Sequence, residues 1–385
     1  MKYKREISKT IEDTRSSILL IGPRQTGKST LIKNLNPDLT INLSQENVFL
    51  RFSSQPDLLE QIISQEKPKT IFIDEIQRLP SLLNTIQAII DANYKKFKFY
   101  LTGSSARKLK RGSANLLPGR VISLQMSPLT LEEIQYKYHI DHLLSFGLLP
   151  GIFIEKNIKE KSLLLSSYGA TYLKEEIQAE ALTKNIEGFS RFLFAIAAKN
   201  GEFLDFSKLG SQASINQKTA TRFFEILEDS LLVFRLNSYS KNSFRRLVQH
   251  PKFYFFDTGV LNSLLGSYKV SAERKGLLFE TLVISSIRNL LLSKAAQFQM
   301  STYRTTAGGE VDLILNTNDI EMAIEIKASS NIGKSDLTGL KSFSEVSQEK
   351  PIKIIIYMGE YSRKIDDVAI LPLNQAIKFI CQQIT

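Results

Sequence analysis

A loop bounded by glycines, between an apolar run and a helical pattern, constrains this chain more than any other feature. Ser17-Ile-Leu-Leu-Ile21 is short and continuously apolar, which is typical of a buried parallel strand. Residues 22–29 follow with Gly-Pro-Arg-Gln-Thr-Gly-Lys-Ser, which satisfies the pattern G-x-x-x-x-G-K-[S/T], and residues 30–35 have the pattern of a helix. Glycines at both ends let backbone N–H groups point at phosphate oxygens. The sequence therefore predicts a phosphate-binding loop.

The loop offers a candidate group for each part of a bound nucleotide. Lys28 is expected to bridge the β and γ phosphates of ATP, and it is also a candidate catalytic residue. The hydroxyl of Ser29 is expected to hold Mg²⁺. ATP and Mg²⁺ are therefore the expected cofactors. The other candidate nucleotide-binding residues are Gly22, Gln25, Thr26, Gly27 and Thr30.

Two acidic residues, Asp74 and Glu75, directly follow a second predicted strand over residues 70–73. In a sheet of this kind, the end of such a strand lies beside the phosphate loop. Asp74 is expected to hold the Mg²⁺ water shell, and Glu75 to orient or deprotonate the attacking water. The alternative is a pair of solvated acids at a strand end, which a complete phosphate loop disfavours. Glu75 thus favours hydrolysis of ATP over binding alone.

A third predicted strand, residues 97–101, ends in hydroxyl side chains. Thr102 and Ser104 are candidate sensors of the γ-phosphate, and ordinary turn residues are the alternative. Arg120 is a candidate for stabilising transition-state charge, within its own subunit or across an interface, and a surface arginine is the alternative. A helix is predicted between the second and third strands from apolar residues at helical spacing, Leu82, Leu83, Ile86, Ile89 and Ile90. This alternation predicts an α/β fold with a doubly wound parallel sheet.

Four separated motifs resemble those of the AAA+ ATPases, and more narrowly those of a prokaryotic branch. They are Gly22-Pro-Arg-Gln-Thr-Gly-Lys-Ser29, Asp74-Glu-Ile-Gln77, Leu101-Thr-Gly-Ser-Ser105 and Gly119-Arg120. The branch also carries a segment similar to Pro251-Lys-Phe-Tyr-Phe-Phe-Asp-Thr-Gly259 in a C-terminal domain of unknown function. The resemblance spans nearly all of the chain, and it implies an ATP-binding domain over residues 1–135.

Residues 136–270 have a mainly helical pattern followed by a strand, the outline of a winged helix. Its helices and strand are predicted over residues 189–198, 206–209, 216–227 and 231–236. The third helix is expected to present Gln217, Lys218, Thr221 and Arg222 outward. The stretch 235–256 has five Lys or Arg, including Arg245 and Arg246, and no acid. It is a candidate surface for a DNA backbone, and a packing module between two domains is the alternative.

Residues 271–385 resemble the PD-(D/E)xK nuclease core. A predicted helix bears Glu280, and two adjacent predicted strands bear Asp312 and then Glu325-x-Lys327. Because alternate residues of a strand share a face, Asp312 and Glu325 are expected to hold Mg²⁺ together. Lys327 is expected to orient a water or to stabilise charge on the phosphorane. Fold and activity are separate questions, so both a nuclease and an inherited charge cluster stay open.

The composition limits the setting and the partners. The net charge of +11 favours polyanionic partners such as nucleotides, nucleic acid or a membrane surface, although solubility alone also explains it. Cys381 is the single cysteine, so an intrachain disulfide is excluded. We expect no signal peptide and no apolar run as long as a membrane helix, which together predict a cytoplasmic protein without a membrane partner.

Two functions from different classes stay open at this point. One is an ATP-driven machine that acts on nucleic acid, and the other is a nucleotide-dependent switch or scaffold that binds another protein. Glu75 favours turnover, and the basic stretch favours nucleic acid over protein. The sequence leaves the DNA or protein target and the oligomeric state open.

Overall fold

The computed structural model describes most of the chain, in two compact units. The described residues are 3–92, 96–104, 117–169, 185–239, 250–305, 309–317, 320–347 and 349–384. Unit 1 comprises residues 1–129 with 229–232 and 292–295, and unit 2 comprises the remainder of residues 130–385. Ser105, Arg245 and Arg246 lie outside the described residues. The division into three domains at residues 135 and 270 stays a prediction.

Unit 1 contains a parallel sheet. Its described strands are β1 (Ser17–Ile21), β2 (Leu39–Asn42), β3 (Thr70–Asp74), β4 (Lys98–Gly103) and β5 (Val121–Gln125). They lie in the order β2-β3-β4-β1-β5, and every one of these neighbouring pairs is parallel. This arrangement confirms the predicted α/β class with a parallel sheet.

Helices pack on both faces of this sheet. Those described in unit 1 are α1 (Ile7–Asp13), α2 (Lys28–Lys33), α3 (Glu46–Ser54), α4 (Leu58–Glu66) and α5 (Leu82–Ala92). Alternate side chains of a strand point to opposite faces, so β1 contributes to two cores. Leu19 packs in the core that contains the apolar face of α5. Ile18 and Leu20 pack in the other core, with Ile7 of α1 and Leu31 of α2. The sheet is therefore doubly wound, as predicted.

Unit 2 begins with helices. Those described are α6 (Ile140–Phe146), α7 (Pro150–Ile154), α8 (Ile158–Ser167), α9 (Ile186–Ala198), α10 (Phe206–Gln212), α11 (Gln217–Asp229), α12 (Thr258–Leu264), α13 (Ala272–Ser293), α14 (Thr338–Val346) and α15 (Leu373–Ile384). Asn216 caps α11, since its side chain accepts a hydrogen bond from the Thr219 N–H at 2.8 Å. The inner face of α11 is buried at Ala220, Phe223, Phe224 and Leu227.

A mixed sheet, eight-stranded within the described residues, forms the rest of unit 2. Its strands are β6 (Val233–Ser238), β7 (Lys252–Phe255), β8 (Phe298–Arg304), β9 (Glu310–Thr317), β10 (Glu321–Lys327), β11 (Ile352–Tyr357), β12 (Arg363–Ile365) and β13 (Val368–Pro372). They lie in the order β12-β13-β11-β10-β9-β8-β6-β7. β6 and β7 are antiparallel, and β6 joins β8 at Asn237 and Ser238. β6 and β7, from the predicted region 136–270, therefore lie in the same sheet as β8–β13, from the predicted region 271–385.

The expectation that no apolar segment is as long as a membrane helix is wrong. Among the described residues, α13 is 22 residues long and apolar enough to cross a membrane by length and composition. However, 72% of its most apolar window is buried inside the protein. A helix surrounded by protein on most sides needs apolar side chains all round, as a membrane helix does, and this burial accounts for the composition.

Candidate functional site

The phosphate loop is built where β1 ends and α2 begins. The Gly22 N–H donates to the Gly103 carbonyl at the end of β4, at 3.2 Å. A Cβ at Gly22 would lie 2.4 Å from the Met126 carbonyl oxygen, so a side chain would not fit there. Gly27 has a φ of 93°, in the left-handed region that favours glycine. Both glycines of the motif are thus required by the backbone path.

Lys28 lies inside this loop. Its side chain is buried, and its Nζ donates to the carbonyls of Gly22 and Pro23 at 2.8 and 2.9 Å. Thr26 is also buried, whereas Gln25 and Thr30 are exposed. The ammonium therefore lies within the loop that was predicted to bind phosphate.

Asp74, Ser29 and Thr102 come together at the carboxyl ends of neighbouring strands. Asp74 ends β3, and its Oδ1 accepts hydrogen bonds from Ser29 Oγ at 2.7 Å and from Thr102 Oγ1 at 2.5 Å. Thr102 lies on β4, which the sheet order places between β3 and the strand that leads into the loop. A hydroxyl and a carboxylate oxygen held side by side are the ligand types that Mg²⁺ prefers. The residues present therefore fit Mg²⁺ at this position.

Glu75 follows with a strained backbone and a fixed side chain. Its φ is 60°, which is uncommon for a residue with a side chain. Its N–H donates to Thr102 Oγ1 at 3.3 Å, and its carboxylate accepts a hydrogen bond from the Gln77 amide. Gln77 is buried and also donates to Ser104 Oγ at 3.0 Å. Gln77 was not predicted as a site residue, but its side chain contacts the candidate catalytic acid Glu75.

Arg5 contacts the phosphate loop, although no sequence motif predicts it. It is 2% exposed, and its guanidinium donates to the carbonyls of Thr26 at 2.7 Å, Ser127 at 2.7 Å and Pro128 at 3.1 Å. Thr26 belongs to the phosphate loop, so Arg5 ties the loop to the segment that follows β5. A single arginine near the start of a chain carries no local pattern that predicts such a role.

Arg120 lies away from the loop. The pairing of Ser17 with Val121 puts Arg120 at the amino end of β5, whereas the loop leaves the carboxyl end of β1. Five residues of strand span roughly 16 Å, so the two sites lie at opposite edges of the sheet. Its Nε and one terminal nitrogen bind Asp91 Oδ1 and Oδ2 at 2.6 and 2.9 Å. This placement contradicts the version in which Arg120 acts within its own subunit.

Of the five basic residues in the stretch 235–256, the structure describes Arg235 and Lys252, and neither is exposed. Arg235 forms an ion pair with Glu228, with its Nε and a terminal nitrogen 2.9 and 2.6 Å from the carboxylate oxygens. Lys252 is buried. On α11, Gln217, Lys218 and Arg222 are exposed and Thr221 is half-buried.

A carboxylate cluster occupies the face of the unit 2 sheet where the nuclease-like site was predicted. Glu280 of α13, and Glu310 and Asp312 of β9, surround the Nζ of Lys252, which comes from β7. The Nζ lies 2.7 Å from Glu310 Oε1, 3.7 Å from Glu280 Oε1 and 3.9 Å from Asp312 Oδ1. Glu280 Oε1 also accepts a hydrogen bond from Tyr254 of β7 at 2.5 Å. Lys252 and Glu310 were not among the predicted site residues.

Glu325 and Lys327 of β10 complete the predicted set. Lys327 Nζ donates to Glu325 Oε1 at 2.6 Å, while Glu325 Oε2 is buried without a hydrogen-bond partner. Asp312 Oδ2 accepts a hydrogen bond from the Ile326 N–H at 2.8 Å. This contact continues the pairing of β9 with β10, which ends at Leu313 and Ile324. The structure therefore brings Glu280, Asp312, Glu325 and Lys327 to one region of the sheet.

Burial dominates the acid–base properties of this cluster. It raises the pKa of Glu280 to about 7 and that of Glu325 to about 8, and the charge of Asp312 adds to both shifts. Burial also raises the pKa of Asp312, against the opposing effect of Lys252. Burial by itself lowers the pKa of Lys252, but the surrounding carboxylates outweigh it and the pKa is raised. Lys252 is therefore held as a cation.

The cluster does not fit the Mg²⁺ site that was expected at Asp312 and Glu325. Magnesium needs oxygen ligands at about 2.0–2.1 Å, but Asp312 faces the ammonium of Lys252, which lies 2.7–3.9 Å from Glu310, Glu280 and Asp312. Glu325 is paired with a second ammonium, that of Lys327, at 2.6 Å. Within the described ranges, no group of three or more His, Cys, Asp or Glu side chains has an arrangement that could hold a metal ion.

Family models match three consecutive parts of the chain. Residues 14–135 match the family model described as an AAA domain. Residues 137–270 and 275–376 match two families that are each described as a domain of unknown function, DUF8612 and DUF4143. The match to the AAA domain covers all the predicted nucleotide-site residues.

Relatives extend over nearly the whole chain. An uncharacterized protein of Mycobacterium tuberculosis is 26% identical over 370 residues, which cover 94% of this chain and 80% of that protein. An uncharacterized protein of Methanocaldococcus jannaschii is 23% identical over 301 residues, which cover 70% of this chain and 66% of that protein.

Solved structures give weaker matches. The replication initiator DnaA bound to AMPPCP and single-stranded DNA has a TM-score of 0.28 at 11% identity, with 58% of this chain and 86% of that chain covered. PCH-2 of C. elegans has a TM-score of 0.27 at 16% identity, with 58% and 65% covered. At these scores the likeness carries no argument.

The family match and the geometry at Ser29, Asp74 and Glu75 support an AAA-type nucleotide-binding ATPase domain over residues 14–135.

Proposed function

We propose that this protein binds ATP with Mg²⁺ at residues 22–29 and hydrolyses it. The contact of Ser29 and Thr102 with Asp74 Oδ1, at 2.7 and 2.5 Å, carries the proposal. These three side chains come from two strands and the helix after the loop, and they meet beside Glu75. These contacts, and the burial of Asp74, argue against the alternative that Asp74 and Glu75 are a pair of solvated acids at a strand end.

Each residue of the site has a distinct role in this proposal. Lys28 exchanges its contacts with the Gly22 and Pro23 carbonyls for phosphate oxygens when the nucleotide enters. Ser29 and Asp74 would hold Mg²⁺, which neutralises phosphate charge when it is bound. Glu75 accepts a proton from the attacking water, and its hydrogen bond with Gln77 keeps the carboxylate in one orientation.

Arg120 is proposed to act across an interface between subunits. It lies at the sheet edge opposite its own phosphate loop, and its partner Asp91 is a surface residue at the end of α5. Such a position allows the guanidinium to reach the nucleotide of a neighbouring copy, where it would stabilise charge in the transition state.

ATP turnover by matched variants tests the nucleotide site. Lys28→Ala is expected to lose nearly all ATP binding, because the loop loses its cation. Glu75→Gln is expected to keep ATP binding but to slow turnover by at least about tenfold. Glu60→Gln serves as the control, since Glu60 is an exposed acid on α4 of the same unit. Wild-type turnover in Glu75→Gln would refute the role of Glu75, and wild-type binding in Lys28→Ala would refute the loop assignment.

We further propose that hydrolysis is coupled to DNA. The order α9, α10, α11 and then an antiparallel pair of strands supports a winged helix, and α11 exposes Lys218 and Arg222. The test is the ATPase rate with and without duplex, branched and single-stranded DNA. Stimulation by DNA is the expected result. A rate that no DNA changes would favour the alternative, a nucleotide-dependent switch or scaffold for another protein.

The last region is proposed to have a nuclease-like core. Glu280 on a helix, with Asp312 and Glu325 on adjacent strands and Lys327 two residues on, supports this fold. The poor fit of a metal ion favours a role in recognition over cleavage. Incubation with linear, nicked, branched and single-stranded DNA in Mg²⁺ or Mn²⁺ tests it, and cleavage that is lost in Asp312→Ala would refute the recognition role.

A further inference from the structure

Lys252 holds the centre of the carboxylate cluster in unit 2. Its Nζ lies 2.7, 3.7 and 3.9 Å from Glu310, Glu280 and Asp312, and the side chain is 7% exposed. The shortest distance is that of a charge-assisted hydrogen bond between an ammonium and a carboxylate. The carboxylates thus converge on a positive charge that the protein itself supplies.

The strand β7 fixes this cation through its backbone and through a neighbouring side chain. Lys252 pairs with Leu236 of β6 and also forms a bridge with Phe203. Tyr254 lies two residues further on the same strand face, and its hydroxyl binds the same oxygen of Glu280 that Lys252 approaches. Two side chains of one strand therefore contact the same oxygen of Glu280, and the strand pairing fixes the backbone position from which the ammonium reaches it.

The opposite face of β7 is anchored as well. Phe253 points away from the cluster, and its ring meets the ring of Phe224 of α11 edge-on, with 5.6 Å between centroids. Phe253 and Phe224 are both fully buried. Displacement of the β7 backbone that carries Lys252 would therefore require movement of the strand relative to α11, which is costly in a close-packed core.

The charges make Lys252 and a divalent ion mutually exclusive. A metal ion bound by Glu280, Glu310 and Asp312 would lie within about 4 Å of the ammonium in a site with little water, where like charges repel strongly. Removing Lys252 would leave these carboxylates without a cation at the same point, and buried like charges without a counter-ion are unstable. The cluster needs one cation there, and Lys252 provides it.

We infer that Lys252 is the resident cation of the cluster formed by Glu280, Glu310 and Asp312, and that it excludes divalent metal while β7 stays in the sheet. A cluster that resembles a metal-dependent nuclease site is thus completed by a lysine from the preceding region. This inference does not depend on ATP hydrolysis, so a failure of the proposed ATPase function leaves it unaffected.

Binding of Mn²⁺, followed by electron paramagnetic resonance, tests the inference on the full chain without nucleotide. Every protein carries Asp74→Asn, so that the site at the phosphate loop does not contribute. The parent is expected to bind no Mn²⁺ at millimolar concentrations. Addition of Lys252→Met is expected to create one Mn²⁺ site, with an affinity at least about tenfold above any residual binding by the parent, because a repelling charge has gone.

Two further variants show where any new ion binds. Lys327→Met removes a neighbouring ammonium that contacts Glu325 rather than the centre of the cluster, so it is expected to create no site. Glu310→Gln, added to Lys252→Met, is expected to abolish the new site. A parent protein that binds Mn²⁺ and loses it on Asp312→Asn would overturn the inference. A folded Lys252→Met protein, judged by circular dichroism, that gains no Mn²⁺ would overturn it too.

The parent protein also provides a test that does not depend on the folding of Lys252→Met. The inference requires that Mn²⁺ does not raise its thermal midpoint, because a ligand stabilises only a fold that binds it. An unchanged midpoint supports the inference. A rise in the midpoint that disappears in Glu310→Gln would show that the metal enters beside Lys252, and the inference would be wrong.

Discussion

Replacement of Arg5 by methionine is expected to destabilise unit 1 and to weaken ATP binding at the same time. The guanidinium is 2% exposed and donates to the carbonyls of Thr26, Ser127 and Pro128 at 2.7, 2.7 and 3.1 Å. Methionine is of similar length and fills the apolar part of the space, but it donates no hydrogen bond. The carbonyls would remain buried without their donor, and Thr26 would lose the contact that holds its part of the phosphate loop.

The size of the effect follows from these contacts. A hydrogen bond to a charged group contributes about 1.5–3 kcal/mol, so the three contacts amount to roughly 4.5–9 kcal/mol before any compensation. The guanidinium also loses hydration when it is buried, and methionine removes that loss. The net loss of unfolding free energy is therefore expected at about 3–5 kcal/mol. For a unit of this size, this is roughly 10–20 °C in the unfolding midpoint.

Calorimetry of the full chain, with and without a non-hydrolysable ATP analogue, provides the measurement. The transition that the analogue raises belongs to the unit that binds it. Arg15→Met is the control, because Arg15 is an exposed arginine of the same unit and its loss is expected within about 0.5 kcal/mol. If Arg5→Met lowers the midpoint no more than Arg15→Met and keeps wild-type nucleotide affinity, the assigned role of Arg5 is wrong.

Three further outcomes are expected. Arg120→Ala should keep ATP affinity and lose turnover. A mixture of the Arg120→Ala and Glu75→Gln proteins should recover part of the turnover if the arginine acts between subunits, and no recovery would contradict that role. Replacement of both Lys218 and Arg222 by alanine should weaken DNA binding. The slope of the logarithm of the binding constant against the logarithm of salt concentration should become shallower by about 0.9 per lost phosphate contact, and an unchanged slope would place the DNA elsewhere. Burial raises the pKa of Asp257 from 3.8 to about 6, so the folded state keeps this proton longer than the unfolded state, and stability falls as the pH rises through this window. Urea unfolding at pH 4 and pH 8 should show this loss, about 2 kcal/mol, in wild type relative to Asp257→Asn, and the opposite sign would refute the assignment.

Much of the fold could be predicted from local patterns. The strands over residues 17–21 and 70–74 are short and continuously apolar, because both of their faces are buried in a doubly wound sheet. In contrast, β2 and β5 were not predicted. Their side chains are partly exposed, so the apolar pattern that marks a buried strand is weak there. Only their pairing with β3 and β1 identifies them as strands.

The candidate nucleotide site was also accessible from the sequence, because its residues follow directly after predicted strands. Asp74, Glu75 and Thr102 could be named since parallel strands bring their carboxyl ends to one edge of a sheet. Gln77 could not, because its role depends on the side-chain contacts with Glu75 and Ser104. The strained φ of Glu75 is likewise visible only in three dimensions.

The sequence by itself determined the phosphate loop, the alternation of strands and helices around it, and the acids that follow the strands. These features depend on neighbouring residues, so local spacing is enough to specify them. Only the tertiary structure decided that Arg5 binds the loop, that Arg120 lies at the opposite sheet edge, and that Lys252 fills the carboxylate cluster. Those outcomes join residues far apart in the chain. They depend on the order and register of strands, which long-range packing sets and local patterns do not encode.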